Sequence, residues 1–135
     1  MPKIASFKRA YGEGESGSGD DWQNVALEAV RALKEIRQSH WFHKDPEKEF
    51  KGYRSLIKKP IWLNKIEQKA LNRSYTIPMQ FKADIALLFK NAKLYNKVDT
   101  IPYKDAVMLE EQFDTLWPCI VKAFQKKARM AVANQ

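Results

Sequence analysis

Apolar residues recur along this chain with a period close to 3.6 in four separate stretches, and nowhere do they alternate as a half-buried strand requires. In the first stretch Trp22, Val25, Ala26, Ala29, Val30, Leu33 and Ile36 share one face behind Asp20 or Asp21, either of which can cap the leading amides. This predicts a helix over about 21–39. From Trp41 to Lys59 the period fails. Pro46 and Gly52 interrupt a mixture of charges there, and the segment reads as an unusually long loop of the kind that often carries function. Pro60 suits a first helical turn and is followed by Ile61, Leu63, Ile66 and Ala70 or Leu71, predicting a second helix over about 60–72. Pro78 begins a third, over about 78–95, with Phe81, Ile85, Leu88, Phe89, Ala92 and Tyr95 as a continuous apolar stripe. After a break at Asn96–Pro102, Ala106, Leu109, Phe113, Leu116, Trp117, Ile120 and Phe124 define a fourth helix, which Pro118 is expected to kink or break near Leu116. The pattern predicts an all-α four-helix bundle over residues 20–127, with ligand sites between helices or at the loop end.

The chain ends read differently from the middle. Four of the five glycines fall within Gly12–Gly19, a polar run unable to repay its ordering entropy, so residues 1–19 are expected to form a flexible tail. With 135 residues, 44% of them hydrophobic and 30% charged, the chain has the composition of one globular domain and no room for a two-domain enzyme. Its 24 Lys and Arg outnumber 16 Asp and Glu, a formal net charge of +8. Half of that excess is Lys122, Lys126, Lys127 and Arg129, with no acid between Lys122 and Gln135. Residues 128–135 therefore read as a basic C-terminal extension, and weak, sequence-independent contact with nucleic acid is expected of that end.

Candidate chemistry is narrowed mostly by what is missing from the sequence. A single cysteine, Cys119, allows no internal disulfide and suits a reducing compartment, and with only His40 and His43 it offers no zinc-ligand spacing. Those two histidines read as solvated loop residues. The sequence contains no apolar run of the roughly 20 residues a membrane helix needs and no apolar signal-peptide centre near Met1, so a soluble, intracellular protein without a membrane partner is expected. Nor does it contain a Gly-rich phosphate loop or a nucleophile order of the Ser/His/Asp kind. The expected function is non-catalytic, with no cofactor or metal.

One segment is specific. Phe81-Lys-Ala-Asp84 leads, through Asn91-Ala92-Lys-Leu-Tyr95-Asn96, to Tyr103-Lys-Asp-Ala106 and Leu109-Glu110. It resembles the bromodomain signature, in which F-x-x-D runs into N-A-x-x-Y-N and the next helix opens with Y-x-x-A-x-x-L-E. Upstream, Tyr53-Arg-Ser-Leu56-Ile57-Lys-Lys-Pro60-Ile61-Trp62-Leu63 is similar to the family's Y-x-x-I-I-x-x-P-M-D-L, and Tyr75 lies where its second linker usually places a tyrosine. The likeness covers about Val25 to Phe124. Two departures are plain: His40-Trp41-Phe42 replaces the usual W-P-F, and Trp62 stands where an acid is usual. The slightly short Phe42–Tyr53 stretch resembles the polybromo-type bromodomains of chromatin remodellers.

This resemblance implies a left-handed bundle whose first and third loops enclose a pocket for acetylated lysine. Acetylation turns an ammonium into a neutral amide with one carbonyl and one methyl, so such a site needs one amide-compatible donor and an apolar sleeve. By resemblance the donor is Asn96, which alone would read as a helix C-cap whose side chain tolerates unusual backbone angles. Tyr53 is implied to reach the acetyl carbonyl through an ordered water, Phe42 to floor the pocket and Phe50 to line its wall. Without the motif these aromatics would simply anchor a long loop. Tyr95, with Asn91, is implied to hold the loops by hydrogen bonds, and Pro102 to stand at the pocket rim while also starting the last helix. The resemblance further implies acetylated peptides, of histones or of other proteins, as partners, in a nuclear chromatin complex. The competing expectation is a basic helical nucleic-acid-binding module with a degenerate pocket.

Overall fold

The computed structural model describes residues 2–11 and 21–133. Six α-helices are formed there: α1 (Pro2–Tyr11), α2 (Trp22–Lys34), α3 (Tyr53–Leu56), α4 (Leu63–Leu71), α5 (Pro78–Tyr95) and α6 (Ile101–Ala133). Two 3-10 turns, Arg37–Phe42 and Pro46–Lys48, lie in the long loop, and no strand occurs among the described residues. Helices α2, α4, α5 and α6 make the expected bundle, with α2 packed against the other three and also against α1.

Asp21 caps α2, its Oδ1 accepting from the Asn24 amide at 2.8 Å. Trp22, Val25, Ala26, Ala29, Val30 and Leu33 are buried as the period requires. The helix ends at Lys34 rather than near residue 39. Ser39 Oγ lies 3.2 Å from the Lys34 carbonyl, a side-chain bond that supports a turn in place of further helix. Ile36, extended at φ −76° and ψ 124°, is nevertheless fully buried, so its apolar position was legible while its backbone state was not.

The second helix also departs from expectation at its start. Pro60 lies outside α4, which begins at Leu63 behind an extended Trp62. Proline pushes its predecessor out of the helical region, and the Lys59 carbonyl is taken by Asn91 Nδ2 at 2.9 Å, so the run into α4 is held extended against α5. Helix α5 begins at Pro78 as expected. There Gln80 Oε1 reaches back to accept from the Thr76 and Ile77 amides at 2.7 and 3.4 Å, covering donors ahead of the first turn.

Both described chain ends are helical, which the sequence did not lead us to expect. Residues 2–11 are helical, with Ile4 and Phe7 buried against the core and the Phe7 and Tyr11 rings 4.9 Å apart. Ile4, Phe7 and Tyr11 carry the helical i, i+3, i+7 spacing, which the neighbouring glycine run obscured. That run, Gly12–Gly19, lies outside the described residues. At the other end α6 continues without a break through Pro118 to Ala133, so no boundary separates a C-terminal extension from the bundle helix. Pro118 leaves only the Asp114 carbonyl without its helical donor. Asp114 is exposed and water can serve it, while buried Leu116, Cys119 and Ile120 hold both sides of the proline to the core.

The core is aromatic at its centre. Phe81 meets Tyr75 edge-on at 5.5 Å and Phe113 at 5.9 Å, and Trp22 meets Phe124 at 6.0 Å. Each such side chain contributes roughly 1.5–3 kcal/mol when fully buried. The Tyr75 hydroxyl donates to Asp84 at 2.6 Å, and Lys69 reaches the same oxygen at 2.7 Å. This fixes the α4–α5 linker on α5.

Candidate functional site

A small cleft opens at the end of the bundle where the long loop faces the α5–α6 connection. Its walls come from three places. Helix α5 contributes Leu88, Ala92 and Asn96, four residues apart and therefore stacked on one face. The long loop contributes Trp41, Phe42, Pro46, Phe50 and Tyr53, and the run into α4 adds Ile61 and Trp62. Pro102, in the first turn of α6, closes the rim.

The loop keeps its shape through several anchors. Gly52 adopts φ 68°, a left-handed angle that lets the chain turn into the short helix α3. Ile57 is buried, and the Asn64 amide donates to the His43 carbonyl at 3.0 Å. Two side chains from α5 span the gap. Tyr95 donates its hydroxyl to the Lys51 carbonyl at 2.8 Å, and Asn91 reaches Lys59 as described above. Tyr95 also lines the cleft, packed between Phe50 at 5.7 Å and Tyr53 at 5.0 Å.

Asn96 is the C-cap of α5, its backbone amide donating to the Ala92 carbonyl at 3.0 Å. It needs no special conformation. At φ −97° and ψ 146° the residue is ordinary extended chain, so the backbone tolerance expected of asparagine plays no part. One N–H of its amide donates to the same Ala92 carbonyl at 2.9 Å, which orients the group. Its second N–H and its carbonyl oxygen have no partner among the described residues.

Tyr53 is buried, and its hydroxyl makes no hydrogen bond to another described residue. Burial, helped by the nearby Asp45 carboxylate and Tyr95, pushes its pKa up to about 12, so it stays a neutral donor and acceptor throughout the physiological range. Phe42 is half-buried and packed against the core cluster. All six residues singled out from the sequence, Asn96, Tyr53, Phe42, Phe50, Tyr95 and Pro102, therefore line one cleft.

Sequence reasoning left other walls unassigned. Leu88 and Ala92 were detectable as the turns preceding Asn96 on the same helical face. Lys44 and Pro46 carried no separate signal, because loop residues have no period to betray which way they face, and Ile61 was read as part of the second helix's apolar stripe. The two departures from the family pattern also prove to be wall residues. Trp41 donates Nε1–H to Asp105 of α6 at 2.8 Å, tying the loop to the far side of the cleft, and Trp62 carries the Lys65 ammonium 5.1 Å from its ring centre. His40 is exposed with its ring 4.2 Å from that of Trp41. His43 is not the solvated residue expected. It is half-buried with Nε2 2.8 Å from Ser39 Oγ, and burial together with nearby Lys34 lowers its pKa.

The bromodomain family profile matches residues 26–108, well over half of the chain. The chain belongs to the bromodomain family. As a bromodomain it is an acetyl-lysine reader module with chromatin-associated relatives. It is 32% identical over 102 residues to the SWR1 complex bromodomain subunit bdf1 of Schizosaccharomyces pombe, covering 73% of this chain and 18% of that protein. It is 37% identical over 90 residues to the histone acetyltransferase GCN5 of Oryza sativa, covering 62% of this chain and 18% of the relative. The structure of the bromodomain from human BAZ1A superposes with a TM-score of 0.67 at 30% identity, covering 70% of this chain and 90% of that one. The bromodomain thus spans less than a fifth of either curated relative. Among the described residues no helix is long and apolar enough to cross a membrane, and no group of His, Cys, Asp and Glu could hold a metal ion.

Proposed function

We propose that this bromodomain binds acetyl-lysine through the second N–H of Asn96, which donates to the acetyl carbonyl while Phe42, Phe50 and Ala92 enclose the methyl and the butyl stem. Tyr53 would hold the same carbonyl through one water, with Tyr95 keeping the loop in register and Pro102 contacting the peptide at the rim. The observation that carries this reading is the Asn96 amide, oriented by Ala92 and left with one spare donor beside a mostly apolar wall whose other polar members are Lys44, Tyr53 and Tyr95. An unmodified lysine is excluded on physical grounds. Its ammonium would lose its hydration against these aromatics with no carboxylate among the wall residues to compensate.

The substrate class we propose is an acetylated histone tail, bound within a larger nuclear chromatin assembly and without catalysis by this module. Remodelling subunits are among the similar proteins, including the yeast chromatin structure-remodeling complex subunit RSC1 at 38% identity over 65 residues. A single neutral group buried in a small cleft, offset by the ordering of a flexible tail, gives a dissociation constant of roughly 10 µM to 1 mM. An array of acetylated histone peptides beside their unmodified counterparts tests the assignment. Retention that depends on acetylation is expected, and equal retention of both sets would overturn it.

A further inference from the structure

Lys44 is the one charged residue in the wall of the acetyl-lysine cleft. It is exposed, and its ammonium makes no ion pair with another described residue. The backbone on both sides of it is pinned. His43, before it, accepts from the Asn64 amide at 3.0 Å through its carbonyl and sets Nε2 2.8 Å from Ser39 Oγ. Asp45, after it, caps the Pro46–Lys48 turn by accepting from the Glu47 amide at 3.0 Å. The fold therefore holds an unpaired cation at the mouth of the cleft and leaves its side chain in water.

The segments that enclose the cleft carry the same sign. Residues 41–62 and 96–105, the long loop and the α5–α6 connection with the first turn of α6, hold eight Lys and Arg against five Asp and Glu, a net charge of +3. Three of those acids already have partners. Asp105 accepts from the Trp41 indole, Asp45 from the Glu47 amide and Glu47 from Arg54. Trp62, also in the wall, carries the Lys65 ammonium over its ring. An incoming peptide thus meets an unpaired ammonium in the wall itself and no carboxylate there.

We infer that the cleft selects acetyl-lysine with an anionic residue close by in the peptide, a carboxylate or a phosphorylated side chain, which Lys44 receives. This rests on the acetyl-lysine reading of the cleft and names the flanking chemistry of its ligand. The reach is adequate. A residue one to three positions from the acetyl-lysine lies within about 11 Å of it along an extended peptide, and the flexible four-carbon stem of Lys44 covers part of that distance. The two anions differ in strength: an exposed pair with a carboxylate contributes little, whereas a phosphate brings nearly two charges and three acceptor oxygens. A phosphate on a tail otherwise rich in Lys and Arg also offsets the repulsion between that tail and the net positive mouth. A tail with only cations beside its acetyl-lysine gains nothing from Lys44.

Calorimetric titrations of the full chain with synthetic peptides of about eleven residues test this. Each carries a central acetyl-lysine in a Gly and Ala background, with Ser, phosphoserine, Glu or Arg placed two residues to either side, and each has an unacetylated twin. At low salt the phosphoserine peptide is expected to bind roughly tenfold tighter than the Ser peptide, the Glu peptide about two- to fivefold tighter, and the Arg peptide more weakly than Ser. These gains should shrink as salt rises towards about 0.5 M. In Lys44→Gln the ratio of phosphoserine to Ser affinity should fall towards one, and in Lys44→Glu the Arg peptide should move ahead. Lys90→Gln, which removes an exposed cation from the face of α5 opposite Leu88 and Ala92, should keep the wild-type ratio, with circular dichroism verifying that each variant folds. Equal affinities across the series, with binding still dependent on the acetyl group, would overturn this inference and leave the reading of the cleft standing. A ratio unchanged in Lys44→Gln, or a phosphoserine peptide bound as tightly without the acetyl group as with it, would overturn it as well. Loss of acetyl dependence throughout the series would remove both.

Discussion

Asn96 holds two positions at once, helix cap and cleft donor, and a substitution separates them. Asn96→Ala removes the donor from a partly desolvated site, which costs roughly 1–3 kcal/mol of binding, a five- to hundredfold loss of acetyl-peptide affinity. The cap survives in large part because the backbone amide of residue 96 keeps its own bond to Ala92. Calorimetric titration with one acetylated peptide, paired with circular dichroism, should show lost binding in a folded protein; undiminished affinity would contradict the assigned role. Tyr53→Phe should cost less, since a water released by one hydroxyl can often find another partner. His43 makes a separate prediction about pH. Its folded pKa lies below the usual 6.5, so folding favours the neutral ring. The resulting stability is complete above the unfolded value and is lost as pH falls through the lowered folded one. Melting temperature should therefore decline from about pH 6.5 downwards, before the carboxylates Glu67 and Asp21, whose pKa values are also depressed, begin to be protonated. In His43→Gln that first decline should flatten, and an unchanged profile would exclude His43 as its source.

Among the elements, α6 is the instructive one. An interior proline costs an isolated helix about 3 kcal/mol, enough for the sequence to suggest a kink or break, yet α6 is unbroken. Contacts on both sides of Pro118 outweigh the local preference, and the unpaired carbonyl belongs to a residue already at the surface. Pro118→Ala should consequently stabilise the domain by about 1–3 kcal/mol, visible as a rise of several degrees in Tm with unchanged peptide binding. A lower Tm would mean that the proline's ring packing matters more than the missing amide. The long loop shows the opposite balance. Its residues follow no period, and its shape comes from distant partners: Asn91 on Lys59, Tyr95 on Lys51 and Trp41 on Asp105. The motif marked Asn91 and Tyr95 as loop supports. The Trp41 tie was hidden, because an indole in a proline's place says nothing about a carboxylate 64 residues away.

At the scale of the whole molecule, the bundle and its accessory helix differ in how firmly they are held. Helix α1 buries Ile4 and Phe7, worth roughly 3–6 kcal/mol in gross apolar transfer, against an ordering cost of about 1 kcal/mol or more for each of its ten residues. Its amides should exchange with solvent well before those of α5 in a hydrogen-exchange experiment. Protection equal to α5 would show that α1 belongs to the same cooperative unit. The helix periods, the bundle class and the six residues that meet at the cleft were all legible in the sequence, since burial imposes a local repeat and the family motif fixes spacing along single helices. Three features were decided only by tertiary structure: where α2 stops and α4 starts, that residues 2–11 form a helix packed on the core, and that Trp41 and Trp62 line the cleft. Each depends on a contact between segments far apart in the chain, such as Asn91 on Lys59 or Phe7 on the core, and local propensity carries no information about a partner that only the fold brings near.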